Sequence, residues 1–254
     1  MKFTKAIVRT PCPEMVNGLT SSSLGIPDYG LALHQHEEYI EALKECGLEV
    51  TVLEANNNFP DSTFIEDAAL LTPHCAILTN PGAPSRNGEP ATIESTLRRF
   101  YDHVESITGS GTIDAGDIMM VNTHFYIGLT KRTNREGAQQ MIDILEKYGL
   151  TGSTVSVEKV LHLKTGVSYL ENNIMMASGE FLEKNEFKKF DLIKVDEDES
   201  YAGNSIWIND TVLTPTGYSK TQALLEKTGY RIVPLDMSEF RKLDGGLSCL
   251  SLRF

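Results

Sequence analysis

Near its middle the chain reads Ile118-Met119-Met120-Val121-Asn122-Thr123-His124-Phe125-Tyr126-Ile127, two apolar runs separated by a two-residue polar turn. This pattern is typical of a β-hairpin. An amphipathic segment at about 134–148 follows, and Thr133 and Glu136 stand at capping-box spacing at its start, so we expect a helix there. Another strand is predicted at about 153–157. The stretch therefore predicts one hairpin–helix–strand, or ββαβ, unit.

The same order of elements recurs along the chain. Further units are predicted to start at Ala68, Ser168 and Ile206, with a helix near 91–100 in the first of them and near 219–228 in the last. The unit starts lie roughly 35 to 50 residues apart, a spacing that is typical of repeat architectures.

A fifth unit is divided between the two ends of the chain. A strand at 5–8, a helix at about 30–46 and a strand at 48–53 lie close to the start. The missing hairpin arm is predicted at 248–252, and its pairing with the first strand would close a ring of five units without a free sheet edge. This closure would bring Cys249 near the centre of the ring. An open α/β sheet is the alternative.

The composition is that of an ordinary globular protein, with 41% hydrophobic and 23% charged residues in a chain of 254. The formal net charge of −12 argues against a nucleic-acid partner, which needs a basic face. The charge fits an ordinary solvated surface, and it would also attract a cationic substrate. We see neither the apolar core of a signal peptide nor an apolar run as long as a membrane helix. A cytoplasmic protein without membrane association is therefore expected.

The cysteines are Cys12, Cys46, Cys75 and Cys249, with no Cys-x-x-Cys pair. This spacing disfavours a zinc site or a disulfide framework and fits a reducing compartment. Cys249 follows a glycine pair at the mouth of a short apolar run, where a thiol can be presented in a cleft. A buried structural cysteine is the alternative, because cysteine is among the most buried residue types.

A reactive thiol needs a proton-transfer group, and the chain offers six histidines. His34 and His36 resemble a metal pair, but residues two apart on a helix do not face the same way. His162 lies in a junction between two predicted units, and ring geometry would bring this junction to the same face as Cys249. His162 is therefore the candidate, and the other histidines are expected to be unreactive.

Two other junctions between units are acidic. Asp114-Ala115-Gly116-Asp117 precedes one unit, and residues 61–67 place three carboxylates around Phe64. Buried carboxylates are costly unless they meet a cation, so one interpretation is a pocket for a cationic ligand. A solvated turn is the other interpretation of the acidic run.

The motifs resemble those of dimethylarginine dimethylaminohydrolase in four stretches: Asn17-Gly18-Leu19-Thr20-Ser21-Ser22, Asp114-Ala115-Gly116-Asp117-Ile118-Met119-Met120, Leu161-His162-Leu163-Lys164-Thr165-Gly166 and Asp244-Gly245-Gly246-Leu247-Ser248-Cys249. This family belongs to the guanidino-group-modifying enzymes, which share a five-bladed α/β propeller. The resemblance covers essentially the whole chain. It implies a single α/β-propeller catalytic domain over residues 1–254, built from pseudo-symmetric ββαβ units and closed by pairing of the N- and C-terminal strands.

Carried over position by position, the resemblance implies that Cys249 is the nucleophile and His162 the general acid and base. Asp114 would orient His162, and it stands where the family usually carries glutamate. Glutamate and aspartate share a charge but differ by one methylene. The departure therefore bears on which guanidine is preferred more than on the thiol chemistry.

The resemblance also implies a set of substrate-binding residues: Leu19, Asp61, Phe64, Glu66, Asp67, Arg86 and Arg132. The three carboxylates would hold the guanidinium and amine end of the substrate, and the two arginines its α-carboxylate. The segment around Leu19 would close over the pocket as a lid. Without the resemblance, both arginines would pass as ordinary surface residues.

The implied reaction is hydrolysis of asymmetric dimethylarginine or monomethylarginine to citrulline and dimethylamine or methylamine, through a covalent S-alkylthiouronium on Cys249. We expect no metal and no organic cofactor, a small cationic guanidino substrate as partner, and leave a homodimer as an open expectation. The alternative within the superfamily is a deiminase-type hydrolase of arginine or another guanidine. Outside it, the alternatives are a Cys-His-Asp acyl-transfer enzyme such as a thiol protease, and a ligand-binding protein without catalysis.

Overall fold

Residues 2–254, which the computed structural model describes, form five three-stranded sheets. The strands are β1 Lys5–Arg9, β2 Glu49–Leu53, β3 Ala69–Leu71, β4 Ala76–Leu78, β5 Val104–Ser106, β6 Ile118–Val121, β7 His124–Leu129, β8 Thr151–Ser156, β9 Val167–Tyr169, β10 Ile174–Ala177, β11 Asp191–Lys194, β12 Ile206–Ile208, β13 Thr211–Pro215, β14 Arg231–Leu235 and β15 Leu252–Arg253. The α-helices are α1 Tyr29–Glu45, α2 Glu94–Leu97, α3 Arg135–Lys147, α4 Ser219–Leu225 and α5 Ser238–Arg241.

All five sheets share one topology. A central strand pairs antiparallel with one neighbour and parallel with the other, as β7 does with β6 and β8. The sheet orders are β15-β1-β2, β3-β4-β5, β6-β7-β8, β9-β10-β11 and β12-β13-β14. A parallel return needs a crossover connection, and α3 supplies it between β7 and β8. The predicted α/β class with repeated ββαβ units is therefore confirmed.

The predicted hairpins are confirmed, and two of their turns show why particular residues suit a left-handed backbone. Asn122 joins β6 to β7 with a φ of 55°, and Asn209 and Asp210 join β12 to β13 with φ values of 48° and 65°. Asparagine and aspartate tolerate this region because their short polar side chains bond to the local backbone. Local turn chemistry thus fixes where these two hairpins reverse.

Helix α3 confirms the predicted helix, but its N-cap is not Thr133. The cap is Asn134, whose side chain accepts a hydrogen bond from the Gly137 N–H. The Thr133 hydroxyl instead donates to Asp117 at 2.6 Å, so a tertiary contact competes with the local capping pattern.

The helix predicted near 91–100 is much shorter than expected. Helix α2 covers only Glu94–Leu97 and follows a 3₁₀ turn at Pro90–Thr92. The β-branched residues Thr92 and Ile93 lose side-chain freedom in a helix, which disfavours an α-helix at this point. The helix predicted near 219–228 is confirmed as α4, followed by a 3₁₀ turn at Glu226–Thr228.

The first sheet joins residues from both ends of the chain. Strand β1 pairs parallel with β2 and antiparallel with β15, with Ile7 opposite Leu252. The predicted pairing of the terminal segments is thus confirmed. The predicted extent of the last strand was wrong, because Ser248–Leu250 forms a 3₁₀ turn and the strand begins only at Leu252. Closure of the five units into a ring stays a prediction.

The chain contacts divide into two compact units. The first runs to Ile65 and resumes at Gly166–Arg253, and the second is Glu66–Thr165 with Phe254. Apolar residues of α1, α5 and strands β1, β12 and β13 build a core in the first unit, and those of α3 and strands β4, β6 and β7 build one in the second. The single domain expected from the sequence stays a prediction. Across residues 2–254, none of the helices has the length and apolar character that a membrane span requires.

Candidate active site

His162 lies in the second unit, immediately before the 3₁₀ turn Leu163–Thr165, and its side chain is buried. Its Nε2 lies 3.1 Å from Oδ2 of Asp114, which is itself inaccessible to solvent. The other oxygen of Asp114 accepts a hydrogen bond from the Gly82 N–H at 2.8 Å. His162 and Asp114, which the sequence analysis placed in separate junctions between units, are thus hydrogen-bonded to each other.

Three buried carboxylates determine the charge of His162. Burial alone would lower its pKa, but the negative charges of Asp67, Asp117 and Asp114 overcome that effect and raise the pKa to about 9. Burial opposes ionisation of Asp67, yet His162 and Arg86 hold the pKa of Asp67 at about 2. At neutral pH the imidazole is therefore protonated and can donate a proton.

The glycine of the acidic motif, Gly116, packs closely against Asp67 and His162. A Cβ built at this position would lie 2.7 Å from Oδ1 of Asp67 and 2.9 Å from Nδ1 of His162. The Gly116 N–H donates to the same Asp67 oxygen at 2.9 Å. The backbone can approach both side chains only because no side chain occupies the space.

Arg86 is buried, so its interpretation as an ordinary surface arginine was wrong. Its Nε and Nη2 form a fork with Glu89, at 2.9 and 2.7 Å, and Nη1 lies 2.6 Å from Oδ2 of Asp67. Burial opposes its charge, but the two carboxylates raise the pKa of Arg86 well above its usual value. Arg132 is more accessible, with its Nη1 3.8 Å from Oδ2 of Asp114.

Replacing Arg86 by methionine is expected to lower the free energy of unfolding by about 3–5 kcal/mol, because Asp67 and Glu89 would stay buried without their cation. Urea denaturation measures the loss. Arg98 is the matched control, since it pairs with Glu94 on an exposed helix surface, and Arg98→Met should cost less than about 1 kcal/mol. Equal stabilities of the two variants would contradict the role of Arg86 in neutralising this cluster.

The acidic run at 61–67 is buried, so its interpretation as a solvated turn was wrong. Oε1 of Glu66 lies 2.6 Å from Nζ of Lys164, two residues after His162. Together with the Arg86–Asp67 pair, this contact meets the expectation that buried carboxylates need a cation. Asp61 accepts the Leu19 N–H at 2.9 Å within the first unit.

Cys249 lies in the first unit, in the 3₁₀ turn Ser248–Leu250, and is half-buried. The Gly246 N–H points at its Sγ from 3.4 Å. Asn204 fixes the turn through two bonds to Ser248, accepting its N–H at 2.9 Å and donating to its hydroxyl at 3.0 Å. A side chain at Gly246 would collide with Asn204. The turn therefore presents the thiol from a rigid backbone.

The remaining predicted residues of the first unit lie around the loop that leads to Cys249. The ring of Phe64 is buried and would overlap a Cβ at position 245, which explains the first glycine of the pair. The segment after Leu19 is tied to the same loop, because Asp244 accepts hydrogen bonds from both the N–H and the hydroxyl of Ser21.

A metal is a poor fit to the acidic cluster. Ligand atoms of Asp67, Asp114 and His162 lie within 4.8 Å of one another. A metal ion would have to displace the Arg86 guanidinium from Asp67 and a firmly held proton from His162. The pair His34 and His36 is also unsuited, because His36 is buried in the core while His34 is exposed on the other side of α1.

Sequence reasoning missed Glu89, Asn204 and the part played by Asp117. Glu89 follows Arg86 by three residues, a spacing that could have suggested the ion pair. Asp117 stands inside the motif that supplied Asp114. No sequence pattern could have indicated the role of Asn204, because its hydrogen-bond partner Ser248 is distant in the chain.

Comparison with known proteins agrees with the fold and the motifs. A family model described as N,N dimethylarginine dimethylhydrolase, eukaryotic, matches residues 29–251. The N(G),N(G)-dimethylarginine dimethylaminohydrolase of Pseudomonas aeruginosa is 56% identical over 253 residues, covering 99% of this chain and 100% of that protein. The protein of the same name from Streptomyces coelicolor is 35% identical over 100% of this chain and 98% of its own.

Solved structures agree at the level of the whole chain. The Pseudomonas aeruginosa enzyme, as a C249S mutant complexed with citrulline, superposes with a TM-score of 0.99 at 55% identity, covering 100% of both chains. The N-terminal domain of ArgZ, an arginine dihydrolase of cyanobacteria, is only 17% identical but shares the fold, with a TM-score of 0.86 over 100% of this chain and 97% of its own. By family model, sequence identity and structure, this chain belongs to the dimethylarginine dimethylaminohydrolase family.

Proposed function

We propose that the protein is a thiol hydrolase that converts asymmetric dimethylarginine and monomethylarginine to citrulline and dimethylamine or methylamine. The observation that carries this proposal is the buried His162, which is hydrogen-bonded to Asp114 and kept protonated by nearby carboxylates, in a chain 56% identical to an enzyme with this name. A guanidinium carbon is a poor electrophile, so its cleavage needs both a nucleophile and a proton for the departing amine.

In the first step, the Cys249 thiolate attacks the guanidinium carbon and forms a carbon–sulfur bond. His162 donates its proton to the leaving nitrogen, the carbon–nitrogen bond breaks, and the amine departs. A covalent S-alkylthiouronium remains on Cys249. The Gly246 N–H directed at Sγ would stabilise the thiolate.

In the second step, His162 is neutral and accepts a proton from water, which attacks the same carbon. The carbon–sulfur bond breaks, the proton of the added hydroxyl passes to the sulfur so that Cys249 leaves as a thiol, His162 is again protonated, and citrulline is released. Asp114 would hold the imidazole and favour its charged form. Two relatives support this scheme: the Pseudomonas aeruginosa C249S mutant was solved with citrulline, and an H162G enzyme of the family with 55% identity was solved as an adduct with S-methyl-L-thiocitrulline.

For substrate binding, Asp61, Glu66 and Asp67 would hold the guanidinium and amine end, with Leu19 and Phe64 enclosing it. Arg132 would hold the α-carboxylate, because it is the more accessible of the two arginines. Arg86 would support it from the buried ion pairs with Asp67 and Glu89.

The other parts of the proposal concern the setting of the enzyme. Residues 1–254 would form one propeller domain closed by the terminal strands, supported by the β1–β15 pairing and the match to family structures over the whole chain. A cytoplasmic location is supported by the four cysteines, none of which forms a disulfide within residues 2–254, as suits a reducing compartment. A homodimer stays a prediction.

Product analysis with three substrates tests the proposed function. Purified protein is given asymmetric dimethylarginine, monomethylarginine and arginine separately, and citrulline and the released amines are quantified. Citrulline with dimethylamine or methylamine, and little from arginine, would support the proposal. Citrulline from arginine alone would favour the deiminase alternative, and the Cys249→Ser protein, prepared in parallel, excludes a contaminating hydrolase.

A further inference from the structure

Asp117 is a buried acid for which the proposed reaction has no step. It ends the 3₁₀ turn Ala115–Asp117 that leads into β6, and it has no solvent access. Its Oδ1 accepts the Leu163 N–H at 2.9 Å. Its Oδ2 accepts the hydroxyl of Thr130 at 2.7 Å and that of Thr133 at 2.6 Å. One carboxylate thus joins three separate segments of the second unit.

The bond to Leu163 fixes the peptide next to His162. The Leu163 side chain is fully buried, and a Cβ at Gly128 would lie 3.0 Å from it and 3.1 Å from Oδ1 of Asp117. The peptide after His162 is therefore held tightly against β7. The hydrogen bond to Asp117 thus holds the backbone from which the imidazole of His162 projects.

The same network also reaches the partner of His162. The Thr133 hydroxyl donates to Asp117 and accepts the Asp114 N–H at 3.2 Å. Asp114 therefore has its backbone fixed through Thr133, and its side chain meets His162 at 3.1 Å. Both members of the hydrogen-bonded pair are tied, at their backbones, to one buried carboxylate.

Asp117 also contributes charge. The charged groups facing His162 are Asp67, Asp114 and Asp117, and the first two carry cationic partners, Arg86 and Arg132. Asp117 instead meets hydroxyls and a peptide N–H. Burial raises the pKa of Asp117 to about 6, against the opposing effects of His162 and these hydrogen bonds. It is therefore ionised at neutral pH and adds to the field that keeps the imidazole protonated.

We propose that Asp117 is a positioning residue that aligns His162 with Asp114 and keeps the imidazole charged, an inference that rests on the proton-transfer role proposed for His162. It does not touch the substrate in this scheme. Its effect reaches the reaction through the geometry and protonation of His162.

Asp117→Asn tests the charge at nearly constant shape. The amide oxygen can still accept the Leu163 N–H, and the amide nitrogen can donate to the Thr133 hydroxyl, which accepts only the Asp114 N–H. The contact with Thr130 is lost, because the Thr130 hydroxyl already accepts the N–H groups of Arg132 and Thr133. We expect the pKa of His162, followed by NMR on labelled histidine, to fall by about one unit or more. The alkaline limb of kcat against pH should move down with it, and kcat should fall about 10- to 100-fold with KM little changed.

Two further variants separate this role from a structural one. Thr133→Val leaves the Asp117 carboxylate in place but removes one of its hydrogen-bond donors and the acceptor of the Asp114 N–H, so kcat should fall. The pKa of His162 should stay near the wild-type value, because Asp117 is still ionised at the alkaline pH where His162 titrates. Asp143→Asn removes an exposed carboxylate on α3 and should change neither quantity.

The inference is overturned if Asp117→Asn folds, as judged by its thermal transition, and keeps the wild-type titration of His162 and the wild-type kcat. If Asp117→Asn fails to fold, Thr133→Val decides, and a wild-type kcat in that variant overturns the inference. The titration of His162 needs no substrate. A lack of turnover of all methylarginines by the wild type would therefore refute the proposed function while leaving the effect of Asp117 on His162 measurable.

Discussion

Cys249→Ser should lose turnover by about 10⁴-fold or more while keeping the fold. A serine hydroxyl ionises far less readily than a thiol, so the Gly246 N–H would face a neutral oxygen instead of a thiolate. The turn itself should persist, because Asn204 and Ser248 hold it through their own bonds. Citrulline release measures the loss, and urea denaturation checks the fold.

Cys46→Ala is the matched control for this change. Cys46 is a buried cysteine at the end of α1, and burial raises its pKa, so it is expected to be unreactive. This variant should retain full kcat. A Cys249→Ser protein that kept more than a tenth of its activity would show that another group attacks the substrate.

The second large effect is expected at His162. His162→Gly should lower kcat on asymmetric dimethylarginine by about 10³-fold or more, because the amine cannot leave without a proton. With S-methyl-L-thiocitrulline the rate of the first step should fall much less, because the methanethiol group can leave as a thiolate without a proton from His162. The variant should then stop at a covalent adduct, because no base activates water. Intact-protein mass spectrometry detects that adduct.

His74→Gly is the control, since His74 lies exposed in the turn between β3 and β4. It should turn over both substrates like the wild type. Equal slowing of His162→Gly on the two substrates would argue against proton donation to the leaving group.

Comparing the wild type with His162→Gly should also reveal the charge of His162 in the pH dependence of the free energy of unfolding, measured by urea denaturation at a series of pH values. The pKa of His162 is raised from 6.5 to about 9 in the folded state, so its contribution to stability is fully present below pH 6.5. That contribution is lost as the pH rises through about 9. Relative to His162→Gly, the wild type should therefore lose stability across this window.

Features set by local chemistry were predictable from the sequence. Hairpins reverse at residues such as Asn122 and Asn209, which tolerate left-handed backbone, and the apolar period of α3 marks its buried face. The repetition of these signals is what predicted five similar units. The motifs around His162 and Cys249 then supplied the family resemblance.

Features that depend on distant partners were not predictable. Thr133 has the spacing of a helix cap, but its hydroxyl bonds to Asp117 on another segment. Arg86 reads as a surface residue until Asp67 and Glu89 are seen around it. The sequence predicts too long a last strand, because it does not reveal that Asn204 binds Ser248 and holds it in a turn. In each case a tertiary contact overrides a local preference.

The pairing of Ile7 with Leu252 has a consequence for how the protein is made. Ribosomes add about 5–20 residues per second, so β1 emerges roughly ten to fifty seconds before its partner β15 exists. During that interval one edge of β1 is open to pairing with strands of neighbouring nascent chains. A circular permutant that places β15 directly before β1 would make the hairpin local, and it should give a larger soluble fraction when synthesis is fast.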